Sequence, residues 1–126
     1  MEASTGASGP AAAEVVWERY AQPRRWPGWA PQIRRVETAA ARIAPGVTGT
    51  VRGPFGLPVR FVVTAVDEVA RRWAWDARVG PVRLHLRHGV DRDGPGTRTW
   101  LTARGPAPVL MAYLPLARFA LHRLVR

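Results

Sequence analysis

Histidines carry most of the acid–base chemistry available to this sequence, because it contains no cysteine and no lysine. His85 and His88 lie three residues apart in a segment with the alternation of a strand, so their side chains point to opposite faces and cannot chelate one metal ion. His88 shares its face with Leu84 and Leu86. If this face lines a cavity, His88 is the best candidate for a general acid or base. The alternative is a hydrogen-bonded histidine in the core or at the rim of the sheet.

No motif for metal, phosphate or nucleophilic chemistry occurs in the chain. The sequence has no nucleophile elbow, no glycine-rich phosphate loop and no metal-ligand spacing among its histidines. We therefore predict no metal site and no cofactor. The second candidate catalytic residue is Tyr113, whose hydroxyl would point from a C-terminal helix into a cavity.

Tryptophans supply the flat apolar surface that an aromatic or polycyclic ligand needs. Trp73 and Trp75 alternate along one strand and therefore share a face, where they line either a ligand cavity or a plain core. Trp26 and Trp29 lie three residues apart on a short helical turn among prolines and glycine. Two indoles so close together are expected to plug a space, for example by packing against the end of the sheet. The pattern leaves the facing of Trp100 open.

The longest element that must position these groups is the C-terminal segment from Ala107 to Arg126. Its apolar residues recur at three- and four-residue steps, which predicts a helix. The main apolar row consists of Leu110, Tyr113, Leu114, Ala117, Leu121 and Leu124. The apolar sector is widened by Val109, Met111, Leu116 and Phe119, so the helix has more than one apolar surface to cover. Pro115 should kink this helix or mark its start.

The middle of the chain changes to a period of two, which predicts about six consecutive strands joined by tight turns. The predicted strands are Ile33–Ala41, Val47–Arg52, Leu57–Val66, Arg71–Val79, Val82–Val90 and Thr97–Arg104. Alternation places Arg60 and Arg78 on the solvent face. A first helix is predicted over Ala11–Tyr20, and residues 1–8 are small and polar, so we expect a flexible N-terminus.

The net charge of +10 raises nucleic acid or an acidic lipid surface as partners of a basic interaction module. All 19 basic residues are arginines, however, and they are spread from Arg19 to Arg126 instead of forming one block. This distribution is typical of solvated strand faces and not of a surface that contacts the phosphate backbone of nucleic acid. We therefore expect no nucleic acid partner. Without cysteine, secretory signal or apolar membrane span, we expect a cytoplasmic protein, either monomeric or homodimeric.

Several short segments together resemble one protein superfamily. They are Glu14-Val-Val-Trp17, Arg25-Trp-Pro-Gly-Trp29, Ala44-Pro-Gly46, Trp73-Ala-Trp75 and Asp93-Gly-Pro-Gly-Thr97, in the order and spacing of the START-like (SRPBCC) superfamily of polyketide cyclase/dehydrase and lipid-transport proteins. The resemblance covers roughly residues 10–126. It implies a helix-grip α+β fold, in which an antiparallel sheet of about six or seven strands curls around the C-terminal helix. It also implies that Trp26 and Trp29 lie on a short helix at the mouth of a cavity, where they would either form a gate or pack against the end of the sheet. In this superfamily a strand precedes the first helix. Residues 1–8 are too few and too polar to form a good strand at that position.

We therefore expect residues 9–126 to form a single START-like domain that binds a hydrophobic small molecule, such as a lipid, an isoprenoid or a polyketide-like compound. The resemblance implies that any catalysis would be polyketide cyclisation or dehydration, with His88 and Tyr113 moving protons. A lipid carrier or sensor without chemistry is the alternative. The expected ligand-binding residues are Trp26, Trp29, Phe61, Val63, Trp73, Trp75, Leu84, Leu86, Leu110, Leu114 and Ala117.

Overall fold

The computed structural model describes all 126 residues and contains seven strands and three α-helices. The strands are β1 (Glu2–Gly9), β2 (Arg35–Glu37), β3 (Thr48–Arg52), β4 (Pro58–Asp67), β5 (Arg72–Val79), β6 (Val82–Asp93) and β7 (Gly96–Arg104). The helices are α1 (Ala13–Ala21), the short α2 (Trp26–Trp29) and α3 (Ala107–Leu124). Two 3₁₀ turns, Pro23–Arg25 and Pro54–Gly56, precede α2 and β4.

All seven strands form one antiparallel sheet in the order β1-β7-β6-β5-β4-β3-β2. Short connections between consecutive strands force the antiparallel pairing from β3 to β7, while the longer segment 38–47 connects β2 to β3. Only β1 is not paired with the next strand along the chain. Its partner is β7, from which α1, α2 and all the other strands separate it in the sequence. One face of the sheet packs on α1 and α3 and the other meets solvent, so the predicted helix-grip α+β fold is confirmed.

The expectation of a flexible N-terminus over residues 1–8 is wrong, because these residues form β1. This strand pairs with β7 along its whole length, from Glu2 opposite Arg104 to Gly9 opposite Thr97. Its small side chains have low strand propensity, which is why no strand signal is visible in this segment. They instead permit close approach: Ala7 is buried, and a Cβ atom at Gly9 would collide with the backbone of Val125 at the end of α3.

Other elements differ from the prediction mainly at their ends. Strand β2 spans only Arg35–Glu37, whereas the predicted strand was Ile33–Ala41. It is shorter because only these three residues pair with β3. Helix α1 begins at Ala13, and its N-cap Ala12 provides no side-chain hydrogen bond. Strand β6 continues to Asp93, so the hairpin turn to β7 contracts to Gly94 and Pro95, with Gly94 at a φ of +57°.

Helix α3 runs without interruption through Pro115, which therefore does not mark the start of the helix. It begins at Ala107, where Pro108 occupies the first turn and needs no hydrogen-bond donor. Its buried residues are Leu110, Ala117, Ala120, Leu121 and Leu124. None of the helices combines the length and the apolar character needed to cross a lipid bilayer.

The close contact between β1 and the end of α3 predicts that Gly9→Ala lowers the free energy of unfolding by about 2 kcal/mol, because the added methyl group forces the two segments apart. Gly28→Ala is the matched control, since no atom lies within 4 Å of the position that its methyl group would take. Its stability should stay within about 0.5 kcal/mol of the parent. Urea unfolding of the three proteins measures both effects. Equal stability of Gly9→Ala and Gly28→Ala would show that β1 is not packed on α3.

Candidate ligand cavity

A cavity of about 240 Å³ lies between the concave face of the sheet and α3. Of the 24 residues that line it, 20 are hydrophobic. Strands β5 and β6 form the floor, α3 forms the roof, and α2 with the turn before β4 forms one end. Such a surface has few groups that can bind water and is suited to an apolar molecule.

Most of the predicted site residues line this cavity. Trp26, Trp29, Trp73, Trp75, Leu84, Leu86, Ala117, His88 and Tyr113 all do so. Four of the predicted ligand-binding residues do not, namely Phe61, Val63, Leu110 and Leu114. Phe61 packs against the rings of Trp26 and Trp75 at centroid distances of 5.5 and 5.8 Å, so these indoles occupy the space that it would otherwise face. Val63 and Leu110 are fully buried among other core residues, and Leu114 is half-buried on another side of α3.

The lining residues that were not predicted come from strands, from α3 and from irregular segments. On the strands they are Val51, Val59, Ala77, Val79 and Leu101. On α3 they are Val109, Leu116, Ala120 and Leu121, which join Tyr113 and Ala117 on the side that faces the cavity. The widened apolar sector of this helix was the signal for a second surface, but the predicted row combined cavity-facing and core-facing positions. Gln32, Ile33, Gly53, Pro54 and Leu57 lie outside regular elements and had no periodic signal.

The two indoles of α2 are fixed to the end of α1. Trp26 Nε1 donates a hydrogen bond to the Tyr20 carbonyl at 2.8 Å, and Trp29 Nε1 donates to the Arg19 carbonyl at 3.1 Å. Trp26 also packs against the ring of Trp73 with a centroid distance of 5.7 Å. Because the carbonyls at a helix end have no partner within the helix, these bonds satisfy groups of α1 and hold α2 against the sheet.

His88 lies on the floor and takes part in a buried chain of hydrogen bonds. Trp75 Nε1 donates to His88 Nε2 at 3.0 Å, so this nitrogen must be the unprotonated one. The proton is then on Nδ1, which donates to the Tyr20 hydroxyl at 3.2 Å. Tyr20 in turn donates to Thr99 Oγ1 at 2.7 Å, and Thr99 donates to the Gly89 carbonyl at 3.0 Å. Every polar side-chain group in this hydrogen-bonded network therefore has a partner.

The environment of His88 strongly favours its neutral form. Burial lowers the pKa of His88 to about 3, because the imidazolium would lose its hydration without gaining a negative partner. The ring also stacks on Trp73 with a centroid distance of 4.7 Å and an interplanar angle of 13°. This arrangement has the features of a hydrogen-bonded core histidine, while His85 lies on the solvent face beside Asp76, at 2.6 Å.

Tyr113 presents a different situation, because its hydroxyl makes no hydrogen bond to another protein group. Its ring lines the roof of the cavity, and burial raises the pKa of Tyr113 to about 12. The hydroxyl therefore keeps its proton at neutral pH and can donate a hydrogen bond to a molecule in the cavity. No group of three or more histidine and acidic side chains is placed to hold a metal ion.

The buried histidine predicts a specific loss of stability in acid. Between pH 6.5 and about 3, the imidazole of the unfolded chain binds a proton and that of the folded chain does not, so stability falls as the pH decreases. We expect His88→Gln to remove a slope of about 1.4 kcal/mol per pH unit in this window, relative to the parent protein. Urea unfolding at several pH values measures the slope.

His122→Gln is the control, since His122 is exposed on α3. It should leave the slope of the parent protein unchanged. If His88→Gln keeps the same slope as the parent, His88 is protonated in the folded protein and the buried neutral state is excluded.

Comparison with known proteins gives the fold and the family. The backbone is similar to that of XoxI from Bacillus cereus, with a TM-score of 0.83 and 13% sequence identity over 98% of this chain and 92% of that chain. It is also similar to a START superfamily protein from Mycobacterium smegmatis, with a TM-score of 0.75 and 16% identity over 98% and 96% of the two chains.

A third similar structure is the di-domain ARO/CYC BexL from the BE-7585A biosynthetic pathway, with a TM-score of 0.81 and 19% identity. The similarity covers 99% of this chain and 45% of BexL. At these identities the similarities show the fold alone. No curated protein matches the sequence significantly. Residues 4–126 match the family described as polyketide cyclase / dehydrase and lipid transport. The chain therefore belongs to this family, which confirms its resemblance to the START-like superfamily.

Proposed function

We propose that this protein binds a hydrophobic small molecule in the cavity between its sheet and α3. The observation that carries the proposal is the cavity itself, about 240 Å³ in volume and lined by 20 hydrophobic residues out of 24. Membership of a family of polyketide cyclases, dehydrases and lipid-transport proteins supports the same conclusion. Lipids, isoprenoids and polyketide-like compounds are the ligand classes that such a cavity accepts.

The stacked aromatic rings provide a rigid wall for this ligand. Trp73 and Trp75 stack at a centroid distance of 5.6 Å, and Trp26 lies 5.6 to 5.7 Å from both rings. A ligand that covers about 300 Å² of apolar surface in such a site gains roughly 7 kcal/mol from the hydrophobic effect. The lost freedom of the ligand offsets part of this gain, so we expect dissociation constants from about ten micromolar to a millimolar.

The opening of the cavity lies between α3 and the turn that precedes β4. Leu57 and Leu116 both line the cavity, yet their exposed fractions are 47% and 49%. Phe55, close to Leu57 in this turn, is 99% exposed and has a φ of +59°. An apolar ligand would meet these side chains first as it enters.

The geometry favours binding over catalysis at His88. Both of its ring nitrogens are already hydrogen-bonded, and burial holds it in the neutral form with a lowered pKa. Polyketide cyclisation or dehydration through His88 and Tyr113 stays a second hypothesis. Its support comes from Tyr113, whose hydroxyl has no partner in the protein and can donate to a ligand carbonyl. A carrier or sensor requires only the cavity.

The cavity predicts that the fluorescence of N-phenylnaphthylamine, a dye that brightens in apolar surroundings, increases when it binds this protein. Ala117→Phe should weaken the binding at least tenfold, because Ala117 lines the cavity and the added ring fills it. Ala112→Phe is the matched control on the exposed side of α3 and should bind the dye as the parent does.

Circular dichroism shows whether both variants keep their fold. A dye that binds Ala117→Phe and Ala112→Phe equally well would be bound at the surface, which would contradict the proposal.

A further inference from the structure

The solvent face of the sheet carries a second hollow, on the side opposite the apolar cavity. Its volume is about 220 Å³, and residues of β4, β5 and β6 line it. Three of the lining residues are arginines, one from each strand: Arg60 on β4, Arg78 on β5 and Arg83 on β6. None of the three lines the apolar cavity. The two hollows are therefore separated by the sheet.

The strand register places these three arginines in one row, which we call the arginine row. Arg78 lies directly opposite Arg60 on one side and directly opposite Arg83 on the other. Since neighbouring strands are about 5 Å apart, the row spans roughly 10 Å. Like charges in directly opposite positions repel each other and destabilise a sheet. The arginine row is therefore unfavourable for the protein alone.

No acidic side chain compensates this repulsion. The guanidinium groups of Arg60, Arg78 and Arg83 take part in none of the ion pairs of the protein. Asp76 is the only carboxylate that lines the hollow, and it accepts a hydrogen bond from His85 Nδ1 at 2.6 Å. The three cations are therefore left without a negative partner.

The other pair of directly opposite arginines in the sheet shows what is missing from this row. Arg35 on β2 and Arg52 on β3 lie opposite each other, and Glu37 forms an ion pair with each of them at 2.9 Å. A carboxylate thus bridges the two arginines that meet there. In the arginine row this place is open to an anion from outside the protein, which would relieve the repulsion.

We propose that the arginine row binds a compact polyanion with two linked phosphoryl groups, either as a free soluble compound or as the headgroup of a lipid. Guanidinium groups pair bidentately with phosphate oxygens through charge-assisted hydrogen bonds. Two phosphoryl groups in line match a row of cations better than one phosphate does. Nucleic acid is a poorer match, because proteins that bind it commonly contact about six to ten phosphates, more than a row of three arginines can pair.

The test titrates inorganic pyrophosphate into the protein at physiological ionic strength by isothermal titration calorimetry. Arg78→Gln removes the central cation and should weaken the binding at least about tenfold, because hydrogen bonds to a charged group are lost. Arg60→Gln removes an outer cation and should weaken it as well, so the test does not depend on the folding of one variant. Circular dichroism shows whether each variant is folded.

Arg87→Gln is the matched control, since it loses the same charge from an exposed arginine on β6 outside the hollow. Arg87 lies about 13 Å along the strand from Arg83, beyond the screening length of about 8 Å. Its cross-strand neighbours Ala74 and Thr102 are uncharged. It should bind pyrophosphate as the parent does. Equal affinity of Arg78→Gln and Arg87→Gln, or no binding to the parent, would overturn the proposal.

A second arm distinguishes the two sources of the phosphoryl groups. It uses phosphatidylcholine vesicles that contain CDP-diacylglycerol, a lipid whose headgroup includes a diphosphate. If these vesicles sediment the parent and Arg87→Gln but not Arg78→Gln, the phosphoryl groups belong to a lipid headgroup. If they sediment none of the three proteins while pyrophosphate binds the parent, the ligand is a free soluble compound.

The ligand-free protein provides a further check. Arg78→Gln removes the central member of two repelling pairs, so its midpoint of urea unfolding should rise above that of the parent, while Arg87→Gln should leave the midpoint unchanged. A lower midpoint for Arg78→Gln would contradict the repulsion on which the proposal depends.

This site is independent of the proposed function. Pyrophosphate should not displace N-phenylnaphthylamine, because the arginine row lies on the other face of the sheet from the apolar cavity. Displacement of the dye would place the anion in the cavity and overturn the site. Failure of the dye to bind, with pyrophosphate still bound, would contradict only the proposed function and leave the arginine row standing.

Discussion

A buried chain of hydrogen bonds through His88 joins the elements that build the cavity. It connects Trp75 on β5, His88 on β6, Tyr20 on α1 and Thr99 on β7. A buried polar network stabilises a fold only when all its members are paired, and here each donor in turn meets an acceptor until the chain ends at the Gly89 carbonyl. The direction of every bond follows from Trp75, because an indole nitrogen can only donate. The floor of the cavity is therefore held in one arrangement.

The aromatic side chains around this network account for a cavity that the core does not fill. Trp73 stacks on His88, and the indoles of Trp73 and Trp75 lie nearly parallel, with 15° between their planes. Large rigid rings that are packed against one another cannot rearrange as aliphatic side chains would. Helix α2 adds Trp26 and Trp29, both tied to carbonyls at the end of α1. The volume enclosed by these rings and α3 is therefore left unfilled by the side chains of the protein itself.

The sequence predicted the parts of the site that depend on strand alternation. The period of two placed Trp73, Trp75 and His88 on the inner face, and the structure has all three at the cavity. It did not predict β1, because small residues have little strand propensity and this strand is selected by its pairing with β7 and its close approach to Val125. Nor did it identify Tyr20 as the partner of His88, since 68 residues separate them and only the folded chain brings them together.

The cavity-facing side of α3 shows why a helix is harder to interpret than a strand. Its apolar sector contains both core residues, such as Leu110, and cavity residues, such as Leu116. The rotation of the helix about its axis decides between them, and this rotation depends on packing against β1 and β7. Loop residues such as Gln32 carry no periodic pattern at all, although Gln32 lines the cavity.

The most direct test of ligand binding in the cavity is native mass spectrometry with a panel of apolar compounds. We expect one molecule of ligand for each chain of 13.9 kDa, released when the protein is denatured. A compound that copurifies with the protein would appear in the same way and could be identified after extraction. A spectrum that contains only the bare chain with every compound, together with no thermal stabilisation by any of them, would contradict a ligand-binding cavity.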